Sequence, residues 1–191
     1  LHVGNDRFGP TLPGIRLNYP IPSLSISSFH MTFFAEPTLL DPYGKIYAND
    51  TLAEDGIPAN FFADSNVRKA FTHLINHSYI INDLLLGEAY QPNTFAPSGL
   101  PYVYPDITKY YYDEALAQSY FEAVQFSGTP LTNVGFSVKI CYYGSLFGSI
   151  AGQLVSSVNK VGEAIYGSPI LNKFHALALA IPWNKYLPAI D

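Results

Sequence analysis

The sequence predicts an α/β fold in which a small mixed sheet is flanked by helices. The first observation is the order of segments near the C-terminus, where an alternating segment, an amphipathic segment and a short apolar run follow one another as strand, helix and strand. The second is composition. Apolar residues make up 48% of the 191 residues and charged residues 13%, so the chain can bury one substantial core.

The first third of the chain is predicted to be mostly irregular. Residues 1–24 are rich in proline and glycine and predict an extended lead-in segment, which is followed by one α/β domain over residues 25–191. The aromatic and small residues of "SISSFHMTFFA", residues 25–35, predict a strand. Turn dipeptides in the next stretch predict a long surface excursion, with a short hairpin around Ile46 and Tyr47.

The stretch "NVRKAFTHLINHSYIINDLLLG", residues 66–87, predicts two helices rather than one. At about 100° per residue, its second apolar stripe is out of phase with the first around the helix axis. Two helices at an angle can bury both stripes, whereas one straight helix would expose one of them. The first stripe comprises Val67, Ala70, Phe71, Leu74 and Ile75, and the second comprises Ile80, Ile81, Leu84 and Leu85.

Polar side chains mark the ends of these two helices. Asp64 or Ser65 is expected to cap the first helix, because either oxygen can accept from unpaired amides of the first turn. Asn76 or Ser78 is expected to cap the second helix, which Gly87 ends in the left-handed conformation.

The middle of the chain predicts a long loop and then a helix. Residues 88–111 contain four prolines and no helical period, and loops of this length tend to be functional. Residues 111–124, "YYDEALAQSYFEAV", predict a helix with Asp113 and Glu114 at its positive N-terminal end. Residues 127–130, "SGTP", end it.

The C-terminal part predicts the strand–helix–strand unit. Residues 133–143, "NVGFSVKICYY", alternate and predict a strand. Ser145 is expected to cap the next helix, whose glycines would permit close packing. The run "HALALAI", residues 175–181, predicts a buried strand, with a short buried helix as the alternative. The apolar face of the helix comprises Leu146, Phe147, Ile150, Ala151, Leu154, Val155 and Val158.

Two candidate chemistries are present only as isolated residues. His73 and His77 have the i, i+4 spacing of two zinc ligands, but the sequence supplies neither a third ligand nor the glutamate of the metalloprotease motif. A polar face at a helix junction explains them better. Cys141 lies in the alternating strand, where a small, partly buried apolar side chain is a better interpretation than a nucleophile. We therefore predict no enzyme, no metal and no cofactor.

The charge pattern and the aromatic residues indicate the kind of partner. A net charge of −5 without a run of Lys or Arg argues against nucleic acid. No apolar run approaches the roughly 18 residues of a membrane span. Ligands favour the carboxyl ends of strands in open α/β sheets, so the loops that follow the two C-terminal strands are candidate ligand sites. They contain Tyr143 in the first loop and Trp183, Asn184, Lys185 and Tyr186 in the second.

Several motifs in a fixed order resemble family 5 of the extracellular solute-binding proteins, the oligopeptide- and dipeptide-binding receptors of ABC importers. "FFADSNVRKAFTHLINHSYIINDLLLGEAYQP" looks like the family signature, with Val67-Arg68-Lys69-Ala70 matching its Val-Arg-x-Ala. The helix of residues 111–124, the next strand–helix pair and "FHALALAIPWNKYLP" resemble the segments that follow in the family. The resemblance covers roughly Ser25 to Pro188.

The resemblance implies one lobe of a two-lobed, type II receptor of the periplasmic-binding-protein kind. The chain would then be a piece of a longer receptor, with residues 1–24 on the hinge side. In the family, a solute is trapped between the lobes, and the closed form docks on ABC permease subunits in the membrane. The implied partners are a small solute, the permease subunits and the first lobe of the same full-length chain. The implied location is extracellular or periplasmic, with an anchor at the cell surface.

One departure from the family concerns the solute. In peptide-binding members, an aspartate before the tyrosine of the Trp…Asp-Tyr segment anchors the peptide amino group. This chain has Trp183-Asn184-Lys185-Tyr186, without the acid. An oligopeptide remains the predicted solute and an oligosaccharide the alternative, because aromatic rings and neutral hydrogen-bonding groups suit sugars equally well. A cell-surface protein-interaction module is the alternative from a different class, since 15 tyrosines and 13 phenylalanines also suit a protein interface.

Overall fold

The computed structural model describes residues 26–35, 44–48, 50–92 and 109–182. Short strands and helices alternate along these residues. In chain order they are β1 (Lys45–Tyr47), β2 (Gly56–Pro58), a 3₁₀ turn (Phe61–Ala63), α1 (Ser65–His73), α2 (His77–Tyr79), a π-helical turn (Ile80–Leu84), α3 (Glu114–Glu122), β3 (Gln125–Phe126), β4 (Thr129–Pro130), α4 (Leu131–Val134), β5 (Phe136–Tyr142), α5 (Ser145–Tyr166) and β6 (Phe174–Ala180).

The strand–helix–strand unit that the sequence predicts is β5–α5–β6. The two strands are parallel and in register from Phe136 opposite Phe174 to Tyr142 opposite Ala180. Their alternation puts Phe136, Val138, Phe174 and Ala176 on a buried face. The fold class is confirmed as mixed α/β, with the described strands forming three two-stranded sheets.

Strand β6 differs from the fully buried strand that its apolar sequence predicts. Phe174 and Ala176 are buried, but Leu177 is 54% exposed and His175 lies on the same open face. Helix α5 and the aromatic core cover one face of the β5–β6 pair, so half of the β6 side chains face outward. The apolar run therefore predicted the strand correctly. Its predicted burial holds for only one of the two faces.

Five phenylalanines form the centre of the core. The Phe136 ring lies 5.1 Å from Phe61, 5.7 Å from Phe121 and 4.5 Å from Phe174, measured between ring centroids. Phe71 joins them at 5.6 Å from Phe121. Each ring is at most 2% exposed. This cluster joins the 3₁₀ turn, α1 and α3 to the β5–β6 sheet, and edge-to-face and tilted ring pairs of this kind add to simple apolar burial.

Residues 66–87 contain two helical segments, as predicted, but the second segment is not a regular α-helix. The Asp64 carboxylate caps α1 by accepting from the amides of Asn66 at 2.6 Å and Val67 at 3.2 Å. Asn76 caps α2 by accepting from the Tyr79 amide at 3.0 Å. Gly87 has a φ of 79°, as predicted.

The second apolar stripe is not buried as the sequence predicts. Instead of continuing as an α-helix to Gly87, α2 passes into the π-helical turn, where the Leu85 amide donates to the Ile80 carbonyl oxygen over 2.9 Å. Ile80, Ile81, Leu84 and Leu85 all remain half-buried.

Two predictions for the N-terminal third were wrong. Residues 26–35 form no strand, and most of them are exposed. The Ala35 amide donates to the Ala59 carbonyl oxygen over 2.7 Å, which ties the end of this segment down without making a ladder. Strand β1 forms no hairpin but pairs in parallel with β2, and the Asp55 carboxylate between them binds Lys45 and Tyr47.

Candidate functional site

Strands β5 and β6 end side by side. Beyond the last register pair, Tyr142 with Ala180, the Ile181 amide donates to the Tyr142 carbonyl oxygen over 3.0 Å. Because the strands are parallel, the segments that follow them leave from the same edge of the sheet. We call this edge, with Tyr142, Tyr143, Gly144 and the first turn of α5, the carboxyl edge. Edges of this kind are the usual ligand sites of open α/β sheets.

A glycine makes the turn from β5 into α5. Gly144 occupies the cap position with a φ of 80° and a ψ of 160°, a conformation that side chains disfavour. The prediction that Ser145 caps this helix was wrong, because Ser145 is already its first residue. The sharp reversal requires a positive φ, so glycine takes the place that a capping serine would fill. The first amides of α5 consequently have no side-chain cap.

The first turn of α5 presents both apolar groups and backbone donors. Tyr143 is 47% exposed, Leu146 39% and Phe147 42%. Leu146 and Phe147 belong to the apolar face of the helix, but burial of this face begins only at Ile150. The 22-residue helix has no acidic residue in its first turn, so the partial positive charge at its N-terminus is not neutralised there. The edge thus combines an aromatic hydroxyl, apolar contact surface and polar donors.

Gly148 allows the Tyr142 side chain to contact α5 at the carboxyl edge. A Cβ atom at Gly148 would lie 2.8 Å from Cε2 of the Tyr142 ring, so the glycine lets the ring approach the helix backbone closely. The packing role predicted for the glycines of α5 therefore applies at Gly148. It does not apply at Gly152, where a Cβ would meet nothing within 4 Å.

Of the five predicted ligand residues, Tyr143 lies at the carboxyl edge with nearly half of its surface exposed. The other four, Trp183, Asn184, Lys185 and Tyr186, lie outside the described residues. The described chain reaches Ile181 and Pro182, which leave β6 at the same edge. A role in ligand binding for these four residues stays a prediction.

His73 and His77 do not form a metal site. His73 is 4% exposed, its Nδ1 lies 2.8 Å from the Tyr111 carbonyl oxygen, and its ring stacks on Tyr120 at 5.8 Å between centroids. His73 is therefore a core residue and not the outward polar group that we predicted. The helix breaks after Leu74, so the i, i+4 geometry is lost. The ranges 26–35, 44–48, 50–92 and 109–182 contain no cluster of three metal-ligating side chains.

Cys141 lies on β5 in a partly buried position. Burial raises the pKa of its thiol, and the nearby positive charge of Lys139 opposes this only in part. A thiol that is mostly protonated at neutral pH is a poor nucleophile. This agrees with the interpretation of Cys141 as a small apolar side chain.

A concave region of about 730 Å³ lies beside the first half of β6 and was missed by the sequence analysis. Glu54, Asp55 and Glu163 give it an acidic lining, and His175 Nε2 lies 3.6 Å from a Glu54 carboxylate oxygen. Its acidic residues come from a stretch of surface turns and from the last third of α5, so no sequence period relates them. Only the adjacent acidic residues Glu54-Asp55 could have drawn attention to it.

The sequence matches the model of the family described as bacterial extracellular solute-binding proteins, family 5 middle, over residues 24–165. The chain belongs to this family. The resemblance drawn from the sequence motifs is therefore confirmed. Family 5 is a family of extracellular binding proteins and not a family of enzymes. No curated protein matches the chain significantly.

Three solved structures are similar to parts of this family 5 chain. NikZ from Campylobacter jejuni in complex with Ni(L-His) is 19% identical over 64% of the chain, with a TM-score of 0.46. A mannohexaose-bound periplasmic oligopeptide-binding protein of an ABC transporter from Thermotoga maritima is 18% identical over 65%, with a TM-score of 0.48. The oligopeptide-binding protein AppA from Bacillus subtilis, in complex with a nonapeptide, is 19% identical over 67%, with a TM-score of 0.45.

The chain is short compared with these proteins. It spans 24% of the first two and 25% of the third. Among the helices of the described ranges, none is both long enough and apolar enough to cross a bilayer.

Proposed function

We propose that this chain forms one lobe of the solute-binding protein of an ABC importer. The observation that carries the proposal is the family 5 match over residues 24–165, which includes α1, α3, β5 and all but the last residue of α5. In this proposal residues 25–191 form the lobe and residues 1–24 lead into it from the hinge side. The other lobe, in the same full-length chain, faces the carboxyl edge across a cleft.

The chemistry of the carboxyl edge supports non-covalent capture. Tyr143 offers a ring face and a hydroxyl, and Leu146 and Phe147 add exposed apolar surface. The uncapped amides of the first turn of α5 can donate to carbonyl, carboxylate or hydroxyl oxygens of a solute. The one cysteine of the chain has a raised pKa and is a poor nucleophile.

Capture requires both lobes. A solute that contacts two lobes binds the closed state better than the open state, and this difference shifts the equilibrium toward closure. The closed form then docks on the permease subunits, outside the cytoplasmic membrane, where an anchor keeps the receptor at the cell surface. A single lobe supplies only part of the contacts, so the isolated chain is expected to bind with about millimolar affinity or weaker.

The proposed solute is an oligopeptide, and an oligosaccharide is the alternative. Family resemblance favours the peptide. The sequence Trp183-Asn184-Lys185-Tyr186 favours the sugar, because it lacks the carboxylate that would pair with a peptide ammonium group. The neutral, aromatic character of Tyr143 fits either solute.

The test is a titration of isotopically labelled chain with millimolar mixed tripeptides to pentapeptides, and separately with manno-oligosaccharides, followed by amide NMR. One of the two solute classes should shift amides of residues 142–147 in a saturable manner, with an affinity near millimolar. Calorimetry on the same samples should detect no micromolar binding.

Tyr143→Ala should weaken these shifts several-fold, because the exposed ring supplies contact area at the edge. Tyr79→Ala is the matched control, since Tyr79 is also a partly exposed tyrosine but lies on α2. Micromolar affinity of the isolated chain would contradict capture between two lobes. Shifts confined to residues away from the carboxyl edge, or no shifts with either class, would contradict the site.

A further inference from the structure

Residues 76–92, which we call the α2 arm, contain no buried residue along their whole length. The boundary is sharp, because Leu74 is fully buried and Ile75 is 9% exposed. A segment with few buried contacts opens at a lower free energy than the core beside it. The α2 arm is therefore a candidate for independent motion.

The backbone of the α2 arm is irregular where a stable helix would be regular. The π-helical turn Ile80–Leu84 replaces the second turn of α2. Leu86 has a φ of 53° and Gly87 a φ of 79°. A leucine in the left-handed region costs free energy, and π-helical turns occur often at functional places in helices.

One side chain of α5 joins this arm to the core at its first residues. Gln153 Oε1 accepts from the Asn76 amide at 3.1 Å, and Gln153 Nε2 donates to the Leu74 carbonyl oxygen at 3.0 Å. Nε2 also donates to Ser157 Oγ at 2.9 Å, which fixes the orientation of the amide group. The Leu74 carbonyl and the Asn76 amide are two of the groups that the break between the helices leaves without a helical partner.

Gln153 thus replaces the two hydrogen bonds that a continuous helix would have made. It does so from an element distant in sequence, so the bend between α1 and α2 depends on a tertiary contact. At the other end of the arm, Gln91 Nε2 donates to the Tyr110 carbonyl oxygen over 2.9 Å. In the described ranges, Gln153 makes the side-chain hydrogen bonds that hold the Leu74–Asn76 bend to another element.

We propose that the α2 arm is a hinged strap that opens from the core as a unit, with residues 74–76 as its hinge and Gln153 as its latch. The arm packs against α5, the helix whose first turn forms the carboxyl edge. Opening withdraws half-buried apolar surface from α5 and the Ile80 side chain from the rim of the core. The buried members of the core cluster stay in place, since none of them belongs to the arm. This device is independent of which solute the chain binds.

Native-state hydrogen exchange on the whole 191-residue chain tests the proposal. The amides of Ile80, Leu85 and Gly87 donate within the arm, at 3.0, 2.9 and 2.7 Å, and report its opening. They should exchange faster than the amides of β5, with rates that low urea concentrations leave nearly unchanged, whereas the β5 rates should rise with urea. Arm and β5 amides that exchange at one common, urea-dependent rate would overturn the proposal.

The latch is tested by Gln153→Met, which keeps the size and helix propensity of the side chain but removes its hydrogen bonds. Exchange of the three arm amides should accelerate about tenfold or more, while that of β5 changes much less. Gln118→Met is the control, because Gln118 also bonds a side chain four residues on, Glu122 at 2.8 Å, but lies on α3. Equal acceleration of arm and β5 in Gln153→Met, or unchanged arm rates, would remove Gln153 as the latch.

Discussion

Gly162→Ala should destabilise the protein although alanine favours helices. Gly162 is buried on α5, where a Cβ atom would lie 2.0 Å from Asn172 Oδ1 and 2.8 Å from Phe174 Cβ. Asn172 cannot yield freely. Its Oδ1 accepts from the Phe174 amide at 2.7 Å and its Nδ2 donates to the Asn159 carbonyl oxygen at 3.1 Å.

The magnitude follows from three terms. Helix propensity favours alanine over glycine by about 1 kcal/mol. Overpacking costs about 1–3 kcal/mol, and the two hydrogen bonds of a displaced Asn172 are worth about 1 kcal/mol each. The net expectation is a loss of about 2–4 kcal/mol in the free energy of unfolding. Gly152→Ala on the same helix is the control, because a Cβ there meets nothing within 4 Å, and it should stabilise by about 0.5–1 kcal/mol.

Urea unfolding followed by far-UV circular dichroism measures both variants by linear extrapolation. The two substitutions are chemically identical and lie on one helix. If the free energy of unfolding falls in Gly162→Ala and rises in Gly152→Ala, the difference is due to the packing of Gly162 against Asn172 and β6. Gly162→Ala as stable as the wild type, or a loss of similar size in both variants, would refute the reasoning.

Two further predictions concern titratable groups. Alkylation of Cys141 by iodoacetamide at neutral pH should be slower than that of a free thiol and should accelerate on unfolding, because burial raises the pKa of the thiol; an equal rate in folded and unfolded protein would contradict this. Burial, with the charge of Glu54, raises the pKa of Tyr166 to about 12, above the ordinary value of about 10. The stability that depends on neutral Tyr166 is thus complete below about pH 10 and is lost as the pH rises through 12. Between pH 8 and 12, the urea midpoint of unfolding should fall less in Tyr166→Phe than in the wild type. The variant also lacks the hydrogen bond to Thr132. Parallel plots of midpoint against pH for the two proteins would contradict the role of Tyr166.

Local signals in the sequence identified the elements whose determinants are local. Asp64, Asn76 and Asp113 cap the helices that follow them, because a cap needs only a side-chain oxygen and amides two or three residues away. The alternation of β5 and the left-handed Gly87 were read correctly for the same reason. At the site, the order strand, tyrosine, glycine and helix was enough to place Tyr143 in the turn between β5 and α5, while its role in ligand binding stays a prediction.

The errors arose where a local pattern competes with a backbone or tertiary requirement that it does not reveal. The Ser145 cap failed because the reversal at Gly144 needs a positive φ. His73 was predicted to face outward and is buried against Tyr120 instead. Residues 26–35 have the composition of a strand, but a strand forms only where a partner strand is available, and pairing is a property of the whole fold.

The sequence by itself determined the family, the α/β class, the helix caps and the β5–α5–β6 unit, because these depend on residue spacing and on ordered motifs along one chain. Only the tertiary structure decided that β1 and β2 run parallel, that Gly162 but not Gly152 is needed for packing, and that Gln153 holds the bend between α1 and α2. Each of these depends on atoms of separate elements that meet only after folding, and no local pattern encodes such a meeting.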